Sequence, residues 1–294
     1  MKTVRIIPRL DVKGPNLVKG INLEGLRVLG KPWNFARYYY ENGADELIFM
    51  DVVASLYGRN SLVDIIKKTS KEIFIPLTVG GGLRTIDDIH NVLRAGADKV
   101  SLNTAVINNP ELIKIAAEKF GSSTIMISIE AIKKNDNNYE AYTNNGRERT
   151  GIDAIQWAKQ AEKLGAGEIM VTSIDNEGTG RGFGIELTSM IAKYVSIPVI
   201  ACGGAGTVDH VLDVIEKGGA DAVSVASILH YNFVAQYGMG DDFSAEGNIE
   251  FLKRGKAGFS KIQDTTIDEI KKNLVYHGIS CRFDEQNLEH QEAG

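Results

Sequence analysis

The sequence predicts one closed (β/α)8 barrel made of two repeated (βα)4 halves. Three observations carry this expectation: eight short Ile/Val/Leu/Met-rich runs, amphipathic stretches between them, and an internal repeat. Near-continuous apolar runs suit parallel strands covered on both faces, and strands alternating with helices imply a parallel sheet. The repeat recurs at nearly one spacing. Pro76 and Pro198 are 122 apart (198 − 76), as are Gly43-Ala44-Asp45 and Gly165-Ala166-Gly167 (165 − 43). Gly96-Ala97-Asp98 and Gly219-Ala220-Asp221 are 123 apart (219 − 96). Two fused halves suit a closed barrel, whose first and last strands must pair.

In chain order, strands are expected at 5–12, 46–52, 73–79, 99–102, 124–130, 168–174, 197–202 and 222–225. The first helix carries Tyr38-Tyr39-Tyr40, read as packing. Thr85-Ile86-Asp87-Asp88 gives a later helix a Ser/Thr-x-x-acid start, and Gly96 ends it. Pro110 is expected at the first helical position of the next, which Gly121 stops. Helices over 152–164 and 208–217 repeat the plan, and one over 266–276 closes the ring. Two regions break the rhythm. Residues 13–32 are expected to form a long mobile loop on the carboxyl-terminal rim, where barrel active sites are built. Residues 232–262 read as an insertion after the eighth strand and 284–294 as a polar tail, with 1–294 forming a single domain.

Composition narrows the function. The 33 Lys+Arg and 38 Asp+Glu give a net charge of −5, and 43% of residues are hydrophobic, which excludes global disorder and disfavours general nucleic-acid affinity. No apolar run approaches the roughly 18 residues of a membrane span, and the first residues are too charged for a signal segment. The expectation is a cytoplasmic protein that binds neither nucleic acid nor membrane. Two cysteines, Cys202 and Cys281, make no disulfide framework.

Candidate chemistry gathers at strand ends. Asp11, Asp51, Glu130 and Asp175 follow the first, second, fifth and sixth strands. Asp11 and Glu130 are 119 apart (130 − 11), close to the repeat, so they should face each other across the mouth as acid and base. The blander reading makes each a solvated loop acid or a helix cap. Glycines crowd the same face in Gly80-Gly81-Gly82, Gly178-Thr179-Gly180 and Gly203-Gly204-Ala205-Gly206, beside Asn103-Thr104 and Ala226-Ser227. Glycine lets backbone approach an anion, and barrels often bind phosphate after strands seven and eight. The repeat supplies an equivalent site after strands three and four, so a substrate with a phosphate at each end is expected; tight turns alone are the alternative. At the opposite face Arg5, Glu46, Lys99 and Glu168 begin strands, either as a closed ring of charges or as ordinary strand-start residues. The five histidines show no metal-ligand spacing, with His90 and His210 read as surface residues, and no dinucleotide or P-loop fingerprint occurs. Neither metal nor cofactor is expected. Cys202 reads as a buried structural thiol without a basic partner.

The segments 5–12 (Arg-Ile-Ile-Pro-Arg-Leu-Asp-Val), Val18-Lys19-Gly20, Gly43-Ala44-Asp45-Glu46-Leu47, Thr78-Val79-Gly80-Gly81-Gly82, 96–101, Ser173-Ile174-Asp175 and 201–206 together resemble one family, the cyclase subunit of imidazole-glycerol-phosphate synthase. The likeness runs over about residues 5–231 and resumes near 266–282. It implies a TIM-barrel lyase of histidine biosynthesis within a glutamine amidotransferase complex. Ammonia would come from a separate HisH-type glutaminase subunit docked on the amino-terminal face of the barrel. A bis-phosphorylated phosphoribulosyl-formimino substrate would be cleaved and cyclised to imidazole glycerol phosphate and aminoimidazole carboxamide ribotide.

By the same resemblance Asp11 is the catalytic acid/base. Gly82, Asn103 and Thr104 form one phosphate site; Gly178, Gly204, Ala226 and Ser227 form the other. Lys19 is the lysine of a loop that closes over substrate. Arg5, Glu46, Lys99 and Glu168 gate an ammonia channel, and Asp98 lies on the docking face. Four departures stand out: Glu130 where the family has its second catalytic aspartate, Arg9 where a small residue is usual, Glu177 for an aspartate and Asn145 for a small hydroxyl residue. A second reading therefore accompanies the first. Cyclase-like paralogues pair with glutaminase-like partners in surface-polysaccharide pathways, acting as ammonia conduits for a third protein that makes an acetamidino sugar. Asp11 and both glycine clusters favour the cyclase; Glu130, Arg9 and the insertion favour the conduit.

Overall fold

The computed structural model describes residues 3–54, 62–134, 138–237 and 262–283. Strand β1 (Arg5–Lys13) runs into an antiparallel hairpin of β2 (Asn16–Ile21) and β3 (Glu24–Gly30), followed by α1 (Pro32–Glu41) and β4 (Leu47–Asp51). Then come α2 (Val63–Thr69), β5 (Leu77–Gly80), α3 (Ile86–Ala95), β6 (Lys99–Leu102), α4 (Thr104–Asn108), α5 (Glu111–Phe120) and β7 (Ile125–Lys133). A second hairpin, β8 (Tyr139–Thr143) and β9 (Glu148–Asp153), leads to α6 (Ala154–Lys163) and β10 (Glu168–Ser173). The chain continues through α7 (Ile185–Tyr194), β11 (Val199–Cys202), α8 (Val208–Glu216), β12 (Ala222–Val225), α9 (Ser227–Tyr237) and α10 (Ile267–Tyr276).

Eight of these strands are parallel and closed. The ring runs β1, β4, β5, β6, β7, β10, β11, β12, and β12 pairs back onto β1 with Arg5 opposite Ala222 and Pro8 opposite Val225. The eight-stranded (β/α)8 barrel expected from the repeat is present. Two strands start later than their apolar runs, β5 at Leu77 and β11 at Val199, because Pro76 and Pro198 have no N–H for the ladder. Two run longer: β1 and β7 extend past the rim, where each pairs with a hairpin. Residues 13–32 are thus mostly a β-hairpin with a left-handed turn at Asn22 (φ 49°) and Leu23 (φ 64°), not an irregular loop.

Inside the barrel, Ile7, Ile48, Met50, Met126, Met170 and Ile200 form one buried cluster, while the larger core lies between strands and helices. Helix starts follow their caps. Thr85 and Asp88 make a reciprocal capping box for α3, which ends at Gly96 with φ 118°. Pro110 is the N-cap of α5 rather than its first helical residue, and α6 begins at Ala154, capped by Asp153, because 148–153 is strand. The repeated Gly-Ala-Asp segments share one bond: Asp45 accepts from the Ile6 amide (2.7 Å), Asp98 from Leu77 (2.9 Å) and Asp221 from Val199 (2.7 Å). In the fourth copy Gly167 replaces the aspartate, and a Cβ there would lie 2.2 Å from the Ser122 carbonyl. The first residues of the expected insertion, 232–237, continue α9; the stretch 238–261 and the tail 284–294 lie outside the described residues. No helix among the described residues is long and apolar enough to cross a membrane.

Candidate active site

Asp11 on β1 and Glu130 on β7 stand on opposite sides of the ring, with three strands between them either way round. Both side chains are buried at the mouth. Burial pushes the Glu130 carboxyl up to about 7, against the charge of Arg9 and a hydrogen bond from the Gly146 amide. Its Oε2 has no hydrogen-bond partner among the described residues. Asp11 is tied instead to Arg9, whose Nε donates to Oδ1 at 2.8 Å. The two carboxyl groups therefore hold different electrostatic environments, as an acid–base pair requires.

Arg9 lies inside the barrel, 2% exposed. Burial opposes its charge, and Asp11, with smaller help from Cys202 and Glu177, outweighs that, so its pKa is raised. Its Nη1 donates to the Cys202 Sγ at 3.4 Å. Cys202 thus has a basic neighbour, contrary to expectation, although burial still raises the thiol. Behind Arg9, the buried His230 ring places Nε2 3.0 Å from the Arg9 carbonyl and Nδ1 2.6 Å from the Tyr39 hydroxyl. Burial lowers its pKa to about 3, so the ring is neutral. A carbonyl only accepts, which assigns the proton to Nε2 and leaves Nδ1 to accept from Tyr39. Sequence reasoning missed His230 as a support of the site.

Two glycine-lined recesses flank the carboxyls, and they differ. The first is a cavity of about 290 Å³ bordered by Asp51, Gly81, Gly82, Asn103, Thr104 and Glu130, reaching down to Ser101 and Ser128. Gly81 has φ 97°, and a Cβ on it would sit 2.2 Å from the Asp51 carbonyl, so only glycine fits. Asn103 Nδ2 donates to the Tyr142 carbonyl (3.2 Å), and Thr104 Oγ1 accepts from the Asn144 amide (3.0 Å), which docks the second hairpin on this recess. Asn145 joins the lining from the hairpin turn. The second recess, bordered by Gly178, Gly203, Gly204, Ala205, Ala226 and Ser227, holds only about 20 Å³. Arg9, Lys19 and Glu177 line it as well and narrow it. Lys19 is on strand β2, 4% exposed, and its Nζ is ion-paired with the Glu177 carboxylate.

Asp175 does not join the mouth. It is exposed beyond the end of β10, accepts from the Lys133 amide (2.9 Å) and borders an outer groove with Lys133 and Lys134. Asp51 is buried and accepts from the Val53 amide at 3.1 Å.

At the barrel floor the four charges close a ring. Arg5 Nη1 lies 2.5 Å from Glu46 and 2.7 Å from Glu168; Lys99 Nζ lies 3.2 Å from Glu46 and 2.9 Å from Glu168. Asp98 is exposed beside it and ties down the start of β5. No group of three or more His, Cys, Asp or Glu among the described residues is arranged to hold a metal ion.

Comparison with known proteins agrees with this architecture. A family model described as histidine biosynthesis protein matches residues 5–235. The chain is 56% identical over 210 residues to imidazole glycerol phosphate synthase subunit HisF of Legionella pneumophila, covering 71% of this chain and 99% of that protein. It is 50% identical over 231 residues to the subunit of the same name from Bacillus cereus strain Q1, covering 79% of this chain and 92% of that protein.

Proposed function

The chain belongs to the histidine biosynthesis protein family, and on that premise we propose that it is the ammonia-using cyclase subunit of an imidazole glycerol phosphate synthase. The observation that carries this is the pair of opposed carboxyls, Asp11 and Glu130, between two glycine-lined recesses and above a closed ring of charge.

The substrate, a bis-phosphorylated phosphoribulosyl-formimino compound, spans the mouth. One phosphate sits in the open recess at Gly82, Asn103 and Thr104; the other goes to Gly178, Gly204, Ala226 and Ser227. Ammonia enters through the ring of Arg5, Glu46, Lys99 and Glu168 from a glutaminase subunit docked at the amino-terminal face, near Asp98. It rises past Ser101 and Ser128, which are buried and border the open recess beside Glu130. Glu130, half protonated near neutrality, gives its proton to the carbonyl oxygen as the nitrogen adds. Asp11, facing it as a carboxylate paired with Arg9, removes a proton from that nitrogen. The former carbonyl oxygen leaves as water, and the added nitrogen bonds the formimino carbon as the ring closes. The bond from that carbon to the exocyclic amine breaks, releasing aminoimidazole carboxamide ribotide with that amine reprotonated. Glutamate in place of an aspartate at 130 lengthens the reach to the substrate by one methylene. Lys19 on its hairpin covers the mouth.

The test is turnover. The purified chain with an ammonium salt and the bis-phosphorylated substrate should form both products and should restore growth of a histidine auxotroph lacking this subunit. A folded preparation that makes neither product, and gains turnover only as Glu130→Asp, would overturn the proposal.

A further inference from the structure

Arg9 is the residue that this chemistry leaves unexplained. It stands two positions before Asp11 on β1, so strand alternation puts both side chains inside the barrel. A guanidinium carries five N–H donors and no acceptor. Nε is engaged by Asp11 and Nη1 by Cys202, but Nη2 is buried with no hydrogen-bond partner among the described residues. Burying a charged donor unsatisfied is costly, and a side chain 97% buried keeps that donor away from bulk water.

Nη2 belongs to a group that forms one wall of the small recess. The other walls are built for an anion. Gly203 and Gly204 bring backbone close in left-handed conformations, with φ 89° and 110°, and Ser227 opens the eleven-residue helix α9. An anion is already there, and it is internal. The Glu177 carboxylate borders the recess, pairs with Lys19, and places Oε2 3.0 Å from where a Cβ on Gly203 would stand. With Glu177 in place, about 20 Å³ leaves no room for a phosphoryl group.

We infer that Arg9 is a substrate-binding residue, whose Nη2 takes an oxygen of the phosphoryl group that enters beside Gly203, Gly204 and Ser227 and displaces the Glu177 carboxylate. The inference rests on the reading of this recess as the second phosphate site. One rigid guanidinium then holds the phosphate through Nη2 and Asp11 through Nε, which fixes the separation between the bound end of the substrate and the base. It also selects the substrate. A neutral group at this end can accept from Nη2 but does not replace the Glu177 carboxylate as the charged partner of Lys19.

Calorimetric titration of the full chain with inorganic phosphate tests this. The wild type should show two sites of unequal strength, the weaker being the occupied recess. Arg9→Met should weaken that site by about tenfold to a hundredfold, the worth of a charge-assisted bond, and leave the other unchanged. Glu177→Gln should tighten the same site by about tenfold. Gly204→Ala, whose Cβ would lie 2.0 Å from the Gly182 carbonyl, should remove it. If Gly204→Ala removes a site while Arg9→Met leaves both as in the wild type, the inference about Arg9 falls and the phosphate recess stands. If Gly204→Ala also changes nothing, the phosphate reading falls and takes the inference with it. Loss of both sites in Arg9→Met marks an unfolded variant; Glu177→Gln then decides, and an unchanged affinity in it overturns the inference.

Discussion

Replacing Glu130 by glutamine isolates the electrostatics of the mouth from its chemistry. In the folded chain burial holds this carboxyl at about 7, against 4.5 for an exposed glutamate. Between those two values the folded state keeps a proton that the unfolded chain has released. The contribution of Glu130 to stability is therefore fully present below about pH 4.5 and is lost as the pH rises through 7. The span of 2.5 pH units, at 1.36 kcal/mol per unit, makes the loss about 3 kcal/mol. Glutamine keeps the size and the hydrogen bond from the Gly146 amide while removing the titration. The two proteins are expected to differ little in urea unfolding at pH 4.5. At pH 8 the variant should be the more stable, by about 1 M in urea midpoint for a slope of about 3 kcal/mol per M. A stability difference that stays flat from pH 4.5 to 8 would refute the assignment of Glu130 as the buried proton carrier.

Other substitutions probe separate parts. Asp11→Asn should lower ammonium-dependent turnover by about 10²- to 10⁴-fold with little change in KM, as loss of a general acid–base group does; a steady-state assay decides it. Lys99→Met removes two bonds of the floor ring from a side chain 18% exposed. After that exposure is allowed for, the cost is about 2 kcal/mol, a fall in Tm of about 4–8 °C. Glutamine-dependent turnover in the complex should fall while ammonium-dependent turnover persists. Asp45→Ala strips the Ile6 amide of its acceptor and leaves the buried Lys271 ammonium without its carboxylate. Chemical denaturation should show a loss of about 3–5 kcal/mol.

How far the sequence discloses this molecule depends on the range of the interaction. The strands and their closure are local and periodic, so apolar runs and a repeat near 122 residues reveal them. The charged ring is legible for the same reason, since Glu46 and Glu168 occupy matching repeat positions. The hairpins are harder. Asn144-Asn145-Gly146, with φ of 52°, 59° and 76°, is a left-handed turn that its Asn-Gly pair announces. The turn of the first hairpin includes Leu23 at φ 64°, a residue that carries no turn signal. That Arg9 shares a face with Asp11 follows from strand alternation alone. Its bond to Cys202, 193 residues on, has no local signature, nor has the pairing of Lys19 with Glu177 across 158 residues. These long-range pairs make one recess open and the other narrow, and so the chemistry of the two halves is not as symmetric as their sequences.

The three Gly-Ala-Asp carboxylates have a wider effect than the bonds they make. Each reaches sideways from just before one strand to an amide in the first two residues of the neighbour before it: β4 to β1, β6 to β5, β12 to β11. A barrel closes only when the stagger between successive strands adds up to the right shear, and these carboxylates set that stagger at the floor. The rim is then relieved of the task. Strands β1 and β7 can run on into hairpins and β12 can lead into an extended helix without any strand slipping against its neighbour. The end of the barrel that holds Asp11 and Glu130 is thus the end at which the chain is free to vary in length.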